Sequence, residues 1–190
     1  MVTTGLHGVV HRLIPPRRDR GILLNLACEN WMPAPGMEDC EDWDPAEKNY
    51  EIHNCDLLRR PLPNLKICDL NDPWPYSDGW ADVILSGEAI EHLENPWHHF
   101  REVRRVLKPG GKLILTVPNI LAPLTLGMWP YFNWFGPDEW EKGEHINPIP
   151  VYEFRLICKR LNLEIEREFY HPAESKINLV LVVRKPGGLS

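Results

Sequence analysis

The chain has 190 residues, 43% of them hydrophobic, and its 21 basic and 27 acidic residues give a net charge of −6. This length predicts a single domain over residues 1–190, and no apolar run approaches the length of a membrane span. The acidic balance, without a basic face, does not favour binding to nucleic acid. No apolar block precedes a cleavage site near the N-terminus, so we expect a cytoplasmic protein.

Cysteine usage points to the same compartment. The five cysteines are odd in number and include no CxxC pair; they are Cys28, Cys40, Cys55, Cys68 and Cys158. This pattern favours reduced thiols over a disulfide framework or a zinc site. From the sequence we therefore predict no metal centre.

The first predicted element is a buried strand over residues 21–27, which runs into "NLACENW" at 25–31. Many nucleotide-binding sheets begin with a strand that enters a sharp, glycine-rich turn. Here the small residues end at Ala27, and Glu29 stands where a second glycine would be expected. Further strands are predicted at 50–56 and 65–69, the second of which ends in "CDLND".

The clearest pattern lies in residues 81–119, which predict a strand, a helix and a strand. Residues 81–86 form a β-branched apolar run typical of a buried strand. Asn95 and Pro96 mark a helix start, because a capping side chain precedes proline at the first helical position. Pro109-Gly110-Gly111 ends the helix before a strand at 112–117. A βαβ unit of this kind predicts a parallel sheet.

The C-terminal part predicts a helix over 151–161 and two strands, at 163–170 and 177–184, that pair antiparallel at a sheet edge. Between the fifth strand and this helix lies a segment, residues 118–148, with six aromatic residues. We expect it to be an insertion, either a lid over a substrate or a flap packed on the core or on a partner protein.

Two stretches carry a family resemblance: "NLKICDLNDPWPYSDGWADVILSGEAIEHLENP" and "EVRRVLKPGGKLILTVPN". Together they resemble the class I S-adenosylmethionine-dependent methyltransferases, especially the short type-11-like group. The resemblance covers roughly residues 21–185 and includes a degenerate first glycine motif. It implies an α/β fold of three layers, with a doubly wound, Rossmann-like sheet that is mostly parallel and has an antiparallel last strand. Ligand would lie at the carboxyl ends of the strands, near the switch in strand order.

The resemblance implies S-adenosyl-L-methionine as cofactor. An acid that ends the second strand would hold the ribose hydroxyls; Asp56 matches it, with Asp44 as the alternative. Asp69 matches the contact to the adenine amino group, and Leu70 follows it with a backbone amide. The full cofactor set implied in this way is Asn25, Ala27, Glu29, Asp56, Asp69, Leu70 and Ser86.

The turn at 25–31 departs from the family pattern, because the family has an acid before a Gly-x-Gly turn. If the backbone needs a positive φ at Glu29, that residue costs roughly 1–2 kcal/mol. The cofactor carries a sulfonium and an ammonium, so a nearby carboxylate need not repel it. The turn is therefore either modified and working or a remnant, and we favour the first.

Methyl transfer is an in-line displacement in which positioning contributes most of the catalysis, and a hydroxyl or amine acceptor also benefits from a base. Glu88, Glu91 and His92 follow the fourth strand and are the candidate catalytic residues, although they could equally cap and pack the next loop. The candidate substrate contacts are Trp129, Trp134 and His145.

Two functions stay open at this point. The first is methyl transfer to a small-molecule acceptor, either an apolar or aromatic compound or a sugar-like metabolite. The second is a catalytically inactive binding or scaffolding protein with the same fold. In either case the aromatic insertion could contact a second copy or a partner protein.

Overall fold

The computed structural model describes residues 5–27, 48–59, 61–123 and 145–188. Three α-helices are present in these ranges: α1 (Leu6–Leu13), α2 (Pro96–Val106) and α3 (Val151–Arg160). The strands are β1 (Gly21–Leu26), β2 (Tyr50–Asp56), β3 (Leu65–Ile67), β4 (Ala81–Gly87), β5 (Leu107–Pro118), β6 (Glu164–His171) and β7 (Asn178–Arg184). None of these helices has the length and apolar run that a bilayer crossing requires.

The seven strands form one sheet in the order β3-β2-β1-β4-β5-β7-β6. The first five strands are parallel, and β7 runs antiparallel to both β5 and β6. The predicted Rossmann-like sheet with an antiparallel last strand is thereby confirmed. β1 pairs with β2 on one side and with β4 on the other, so the strand order reverses between β1 and β4.

Helix α2 begins where its sequence predicts but ends before the predicted stop at Pro109-Gly110-Gly111. The Asn95 side chain accepts a hydrogen bond of 3.0 Å from the His98 backbone N–H, a cap that stabilises a helix by about 1 kcal/mol. The helix ends at Val106, and β5 starts at once with Leu107, five residues earlier than expected. Glycine is needed at position 111, because a Cβ there would lie 2.9 Å from the Lys108 carbonyl oxygen.

Both faces of the sheet are covered. Phe100 and Val103 of α2 and Phe154 and Ile157 of α3 pack in the larger core cluster with one face of the strands. The other face is covered by α1, a helix that the sequence pattern did not reveal. Its buried residues Leu6 and Val10 join the second cluster, which is built from strand residues that face the opposite way. The predicted three-layer arrangement is therefore present.

A charged network holds the segment between β3 and β4 against α2. Glu102 Oε2 accepts a hydrogen bond of 2.7 Å from the Trp74 backbone N–H. Arg105 donates to the carbonyl oxygens of Trp74 and Tyr76 and pairs with Glu102 at 2.6 Å. Charge-assisted hydrogen bonds of this kind are roughly twice as strong as neutral ones. They fix the segment that follows Asp69.

The structure corrects the expectation that every cysteine is a reduced thiol. Cys55 at the end of β2 and Cys68 after β3 form a disulfide, with their Cα atoms 6.2 Å apart. No sequence pattern predicts this pair, because only the parallel pairing of β2 with β3 brings the two residues together. Cys158 is a buried free thiol, and Cys28 and Cys40 lie outside the described residues.

We expect the disulfide to stabilise the fold by constraining the unfolded chain. The two cysteines are 13 positions apart, and closing a loop of this size contributes about 3 kcal/mol. A reductant, or the double substitution Cys55→Ala and Cys68→Ala, should lower the free energy of unfolding by roughly that amount in urea titrations. Cys158→Ala is the control, since it should retain the sensitivity to reductant. An unchanged urea midpoint of the natural chain under reductant would contradict the pairing.

Candidate active site

The candidate site lies at the carboxyl edge of the parallel strands. The register places Leu26 of β1 beside Cys55 of β2 on one side and beside Ser86 of β4 on the other. The next residues along the chain, Ala27, Asp56 and Gly87, therefore emerge at the same edge. In open α/β sheets, ligands bind in the crevice that forms where the strand order reverses.

The turn after β1 has an unusual backbone at its first residue. Ala27 has a φ of 48°, in the left-handed region, at the position where the family has a glycine. Asn25, at the family's acid position, is buried and donates a hydrogen bond of 3.2 Å to Asn54 Oδ1 on β2. Ala27 thus has a backbone conformation that glycine adopts most readily. Glu29 and Asp44, the two other residues at issue here, lie outside the described residues.

The two predicted cofactor acids emerge side by side. Asp56 ends β2 and is buried, and its Oδ1 accepts a hydrogen bond of 2.9 Å from the Leu58 backbone N–H. Asp69 is half-buried, and its Oδ1 accepts one of 2.8 Å from the Asn71 backbone N–H. Each acid directly follows one cysteine of the disulfide, and the Cys68 N–H donates to the Asp56 carbonyl oxygen. The disulfide therefore holds the two strand ends together.

Two further predicted cofactor residues have their side chains in the interior. Leu70 is 6% exposed and belongs to the larger core cluster. Ser86 is fully buried, and its Oγ lies 3.2 Å from Nε2 of His99 on α2. Burial lowers the pKa of His99 to about 3, so this imidazole is neutral at physiological pH. A contact of Leu70 with cofactor would use its backbone amide, as the family resemblance implies.

Glu88 follows β4 directly and has a left-handed backbone, with a φ of 47°. Its Oε2 accepts a hydrogen bond of 2.9 Å from Nδ2 of Asn178, at the start of the antiparallel strand β7. Burial raises the pKa of the Glu88 carboxyl to about 7. The carboxyl can therefore both take up and release a proton at physiological pH.

Glu91 lies three residues further on, in a short 3-10 turn over Ile90–His92. Its side chain is fully buried, and neither carboxylate oxygen accepts a hydrogen bond from the described part of the chain. Burial, together with the nearby charge of Glu88, raises the pKa of Glu91 well above its usual value. An unpaired carboxylate costs several kcal/mol in such a place.

Two imidazoles lie beside this carboxylate. His145 Nε2 is 3.8 Å from Glu91 Oε1, and the ring centroids of His145 and His92 are 4.8 Å apart. Burial, helped by nearby His92, lowers the pKa of His145 to about 4. The chain after His145 is tied to the 3-10 turn, because the N–H groups of Ile146 and Asn147 both donate to the Glu91 carbonyl oxygen at 2.9 Å.

The structure describes most of the candidate residues that the sequence predicted and places them near the ends of β1, β2 and β4. Sequence reasoning missed their hydrogen-bond partners. Asn178 is ninety positions from Glu88, and Asn54 is 29 from Asn25. Neither belongs to a motif, so no local signal could have identified it. The predicted substrate residues Trp129 and Trp134 lie outside the described residues, and His145 is the described member of that set.

Comparisons with known proteins show a family model and a curated relative to which this chain is similar. Residues 29–115 match the family model described as the methyltransferase domain, type 11. A curated relative, the 27-O-demethylrifamycin SV methyltransferase of Amycolatopsis mediterranei, is 31% identical over 120 residues, which are 60% of this chain and 44% of that protein. The chain therefore spans less than half the length of this relative.

Solved structures share the fold over nearly the whole chain. The complex between the Haloferax volcanii Trm112 methyltransferase activator and a methyltransferase contains a chain that matches with a TM-score of 0.68 and 15% identity, covering 96% of this chain and 89% of that one. An S-adenosylmethionine-dependent methyltransferase from Mesorhizobium loti matches with a TM-score of 0.66 and 15% identity, covering 93% and 96%. At such identities the likeness shows the fold alone. The family model over residues 29–115 and the sheet with its antiparallel β7 together show that this chain is similar to the methyltransferase domain in sequence and has the class I methyltransferase fold.

Proposed function

We propose that this chain transfers a methyl group from S-adenosylmethionine to a hydroxyl or amine of a small-molecule acceptor. The observation that carries the proposal is the convergence of Ala27, Asp56, Asp69 and Glu88 at the carboxyl edge, beside the reversal of strand order. This is the edge at which doubly wound sheets bind nucleosides. The Amycolatopsis relative acts, by its name, on 27-O-demethylrifamycin SV, which supports an oxygen acceptor here.

The residues at this edge fit the cofactor by their chemistry. Asp56 supplies acceptor oxygens suited to ribose hydroxyls, and Asp69 has a second carboxylate oxygen suited to an adenine amino group. Ala27 has a left-handed backbone directly after the end of β1. S-adenosylmethionine, when bound, supplies an electrophilic methyl group on a sulfonium. Glu29 and Ser86 complete the proposed set, with Asn25 and the Leu70 amide.

Glu88 is best suited to be the base. A general base works best when its pKa is close to the working pH, and burial gives Glu88 a pKa of about 7. Its carboxylate would take the proton that the acceptor loses, while Asn178 holds the side chain in place. Glu91 and His92 remain further candidates. We propose residues 118–148 as the lid, with Trp129, Trp134 and His145 against the acceptor.

One observation favours the alternative, a methyltransferase-fold protein without catalysis. Asn25 replaces the family's acid, and its amide is already bound to Asn54. A protein of this fold has been solved with an activator protein, which supports a protein partner, or a second copy, at the aromatic insertion. A cytoplasmic location also stays a proposal, and the Cys55–Cys68 disulfide weighs against it.

The first test is a calorimetric titration of the purified chain with S-adenosylmethionine and with S-adenosylhomocysteine. We expect both to bind, and Asp56→Ala to weaken binding by roughly 1.5–3 kcal/mol, or roughly 10- to 150-fold, because charge-assisted hydrogen bonds are lost. Asp56→Asn removes the negative charge but keeps an oxygen that can accept the hydrogen bond from the Leu58 N–H, so it shows which of the two matters for binding. Asp72→Ala, an exposed acid of the next turn, is the control. The absence of binding at about millimolar cofactor would favour the scaffold instead.

A second test concerns the proton on Glu88. Because the folded protein holds this proton more tightly than the unfolded chain, the stability that Glu88 contributes is full below about pH 4.5 and is lost as the pH rises through about 7. The melting temperature of the natural chain should therefore fall relative to that of Glu88→Gln as the pH rises from about 5 to about 8. Glu94→Gln, an exposed acid nearby, should follow the natural chain. Parallel curves for the natural chain and Glu88→Gln would disprove the raised pKa.

A third test decides whether the first turn works. If Glu29 has adapted to the cofactor, Glu29→Gly should leave affinity intact or weaken it modestly, and this is the result we expect. If the turn is a remnant, Glu29 blocks the site, and the same change should improve binding. A gain of tenfold, about 1.4 kcal/mol, would overturn methyl transfer for the natural protein. Melting temperature must be followed alongside, since glycine costs roughly 0.5–1 kcal/mol of stability where φ is negative.

A further inference from the structure

Glu91, His92 and His145 form a compact group with the composition of a metal site. One possible ligand atom from each residue lies within 4.8 Å of the other two. Glu91 and His92 come from the 3-10 turn after β4, and His145 comes from the segment before α3. Backbone hydrogen bonds from Ile146 and Asn147 to the Glu91 carbonyl oxygen hold the two segments together.

The Glu91 carboxylate is the strongest sign that this group binds something. It is fully buried, both of its oxygens lack a hydrogen bond from the described part of the chain, and Oε1 is directed toward His145 at 3.8 Å. Within the same ranges, no lysine or arginine pairs with it. Buried carboxylates in proteins are ordinarily paired, protonated or bound to a metal.

We propose that Glu91, His92 and His145 bind a divalent transition-metal cation of the zinc type. Two imidazoles and one carboxylate are a ligand set that suits Zn²⁺, Co²⁺ or Ni²⁺, whereas Mg²⁺ and Ca²⁺ prefer oxygen ligands alone. Bonds of about 2.1 Å in a tetrahedron place ligand atoms about 3.4 Å apart. The distances between ligand atoms would therefore shorten by up to about 1.4 Å on binding, a change within reach of side-chain rotation.

Three protein ligands leave the fourth tetrahedral position open, as in catalytic zinc sites. An oxygen that occupies this position is made more acidic by the metal. If the proposed methyl transfer is correct, on which this step depends, the open position is where an acceptor hydroxyl would be held and activated beside Glu88. Metal binding itself does not depend on that function.

The test is a calorimetric titration of the chelator-treated full chain with ZnCl₂, and with MgCl₂ as a second probe. We expect one zinc ion per chain with a dissociation constant in the micromolar range or below, and no competition from magnesium. Glu91→Gln, His92→Ala and His145→Ala should each weaken zinc binding at least tenfold. His98→Ala, which changes a histidine of α2 outside the group, should leave it unchanged. Visible absorption of the Co²⁺-loaded protein should indicate tetrahedral coordination.

Two results would overturn the proposal: no zinc binding by the natural chain, or binding that the three substitutions leave unchanged, which would indicate adventitious surface ligands. Circular dichroism checks that each variant folds. Should Glu91→Gln not fold, the two histidine variants still decide the matter. A parallel titration with S-adenosylmethionine tests the metal site and the proposed function separately. A chain that binds zinc but does not bind S-adenosylmethionine would support the metal site and contradict the methyltransferase function.

Discussion

The pairing of β1 with β2 on one side and β4 on the other is the constraint on which the rest of the site depends. It creates the reversal of strand order, and it brings together at one edge residues up to sixty positions apart in the chain. Parallel pairing also gives β1, β2 and β4 the same direction, so that Ala27, Asp56 and Glu88 all follow the carboxyl ends of these strands. The grouping of these residues is thus a consequence of topology, and ligands of such sheets bind at the same ends of the strands.

Buried acids at the amino ends and at the carboxyl ends of the strands differ in whether their charge is compensated. At the amino edge, Asp82 is as buried as Asp56 but pairs with Lys108 at 2.7 Å and Arg17 at 3.0 Å and accepts a hydrogen bond from the Ile22 N–H. Its charge is fully compensated, which is what a structural acid requires. At the carboxyl edge, Glu91 has no such partner among the described residues. A buried carboxylate without a compensating charge is suited to hold a proton or a cation. It therefore marks the carboxyl edge as the candidate functional site.

Fold and chemistry carry different information about function. The fold is shared with methyltransferases at about 15% identity, a level at which the acceptor and even the reaction can differ. Three local features of this chain lie near the same strand ends: the left-handed backbone at Ala27, the disulfide beside Asp56 and Asp69, and the group around Glu91. They are therefore the places where affinity and acceptor choice can be tested.

The sequence predicted the seven strands and the helices α2 and α3 in chain order, because strand and helix signals are local. The Asn95 cap, the apolar run at 81–86 and the apolar face of α2 each lie within a few residues. The sequence also identified Asp56, Asp69, Glu88, Glu91 and His145 as candidates, through family motifs. It did not reveal α1, the Cys55–Cys68 pair, the Asn178 contact or the meeting of Glu91 with His145. Apart from α1, those features join positions far apart in the chain, and no local pattern encodes which distant side chains will share a buried space. Only the packed sheet decides that, since pairing register and burial exist only once the strands have come together.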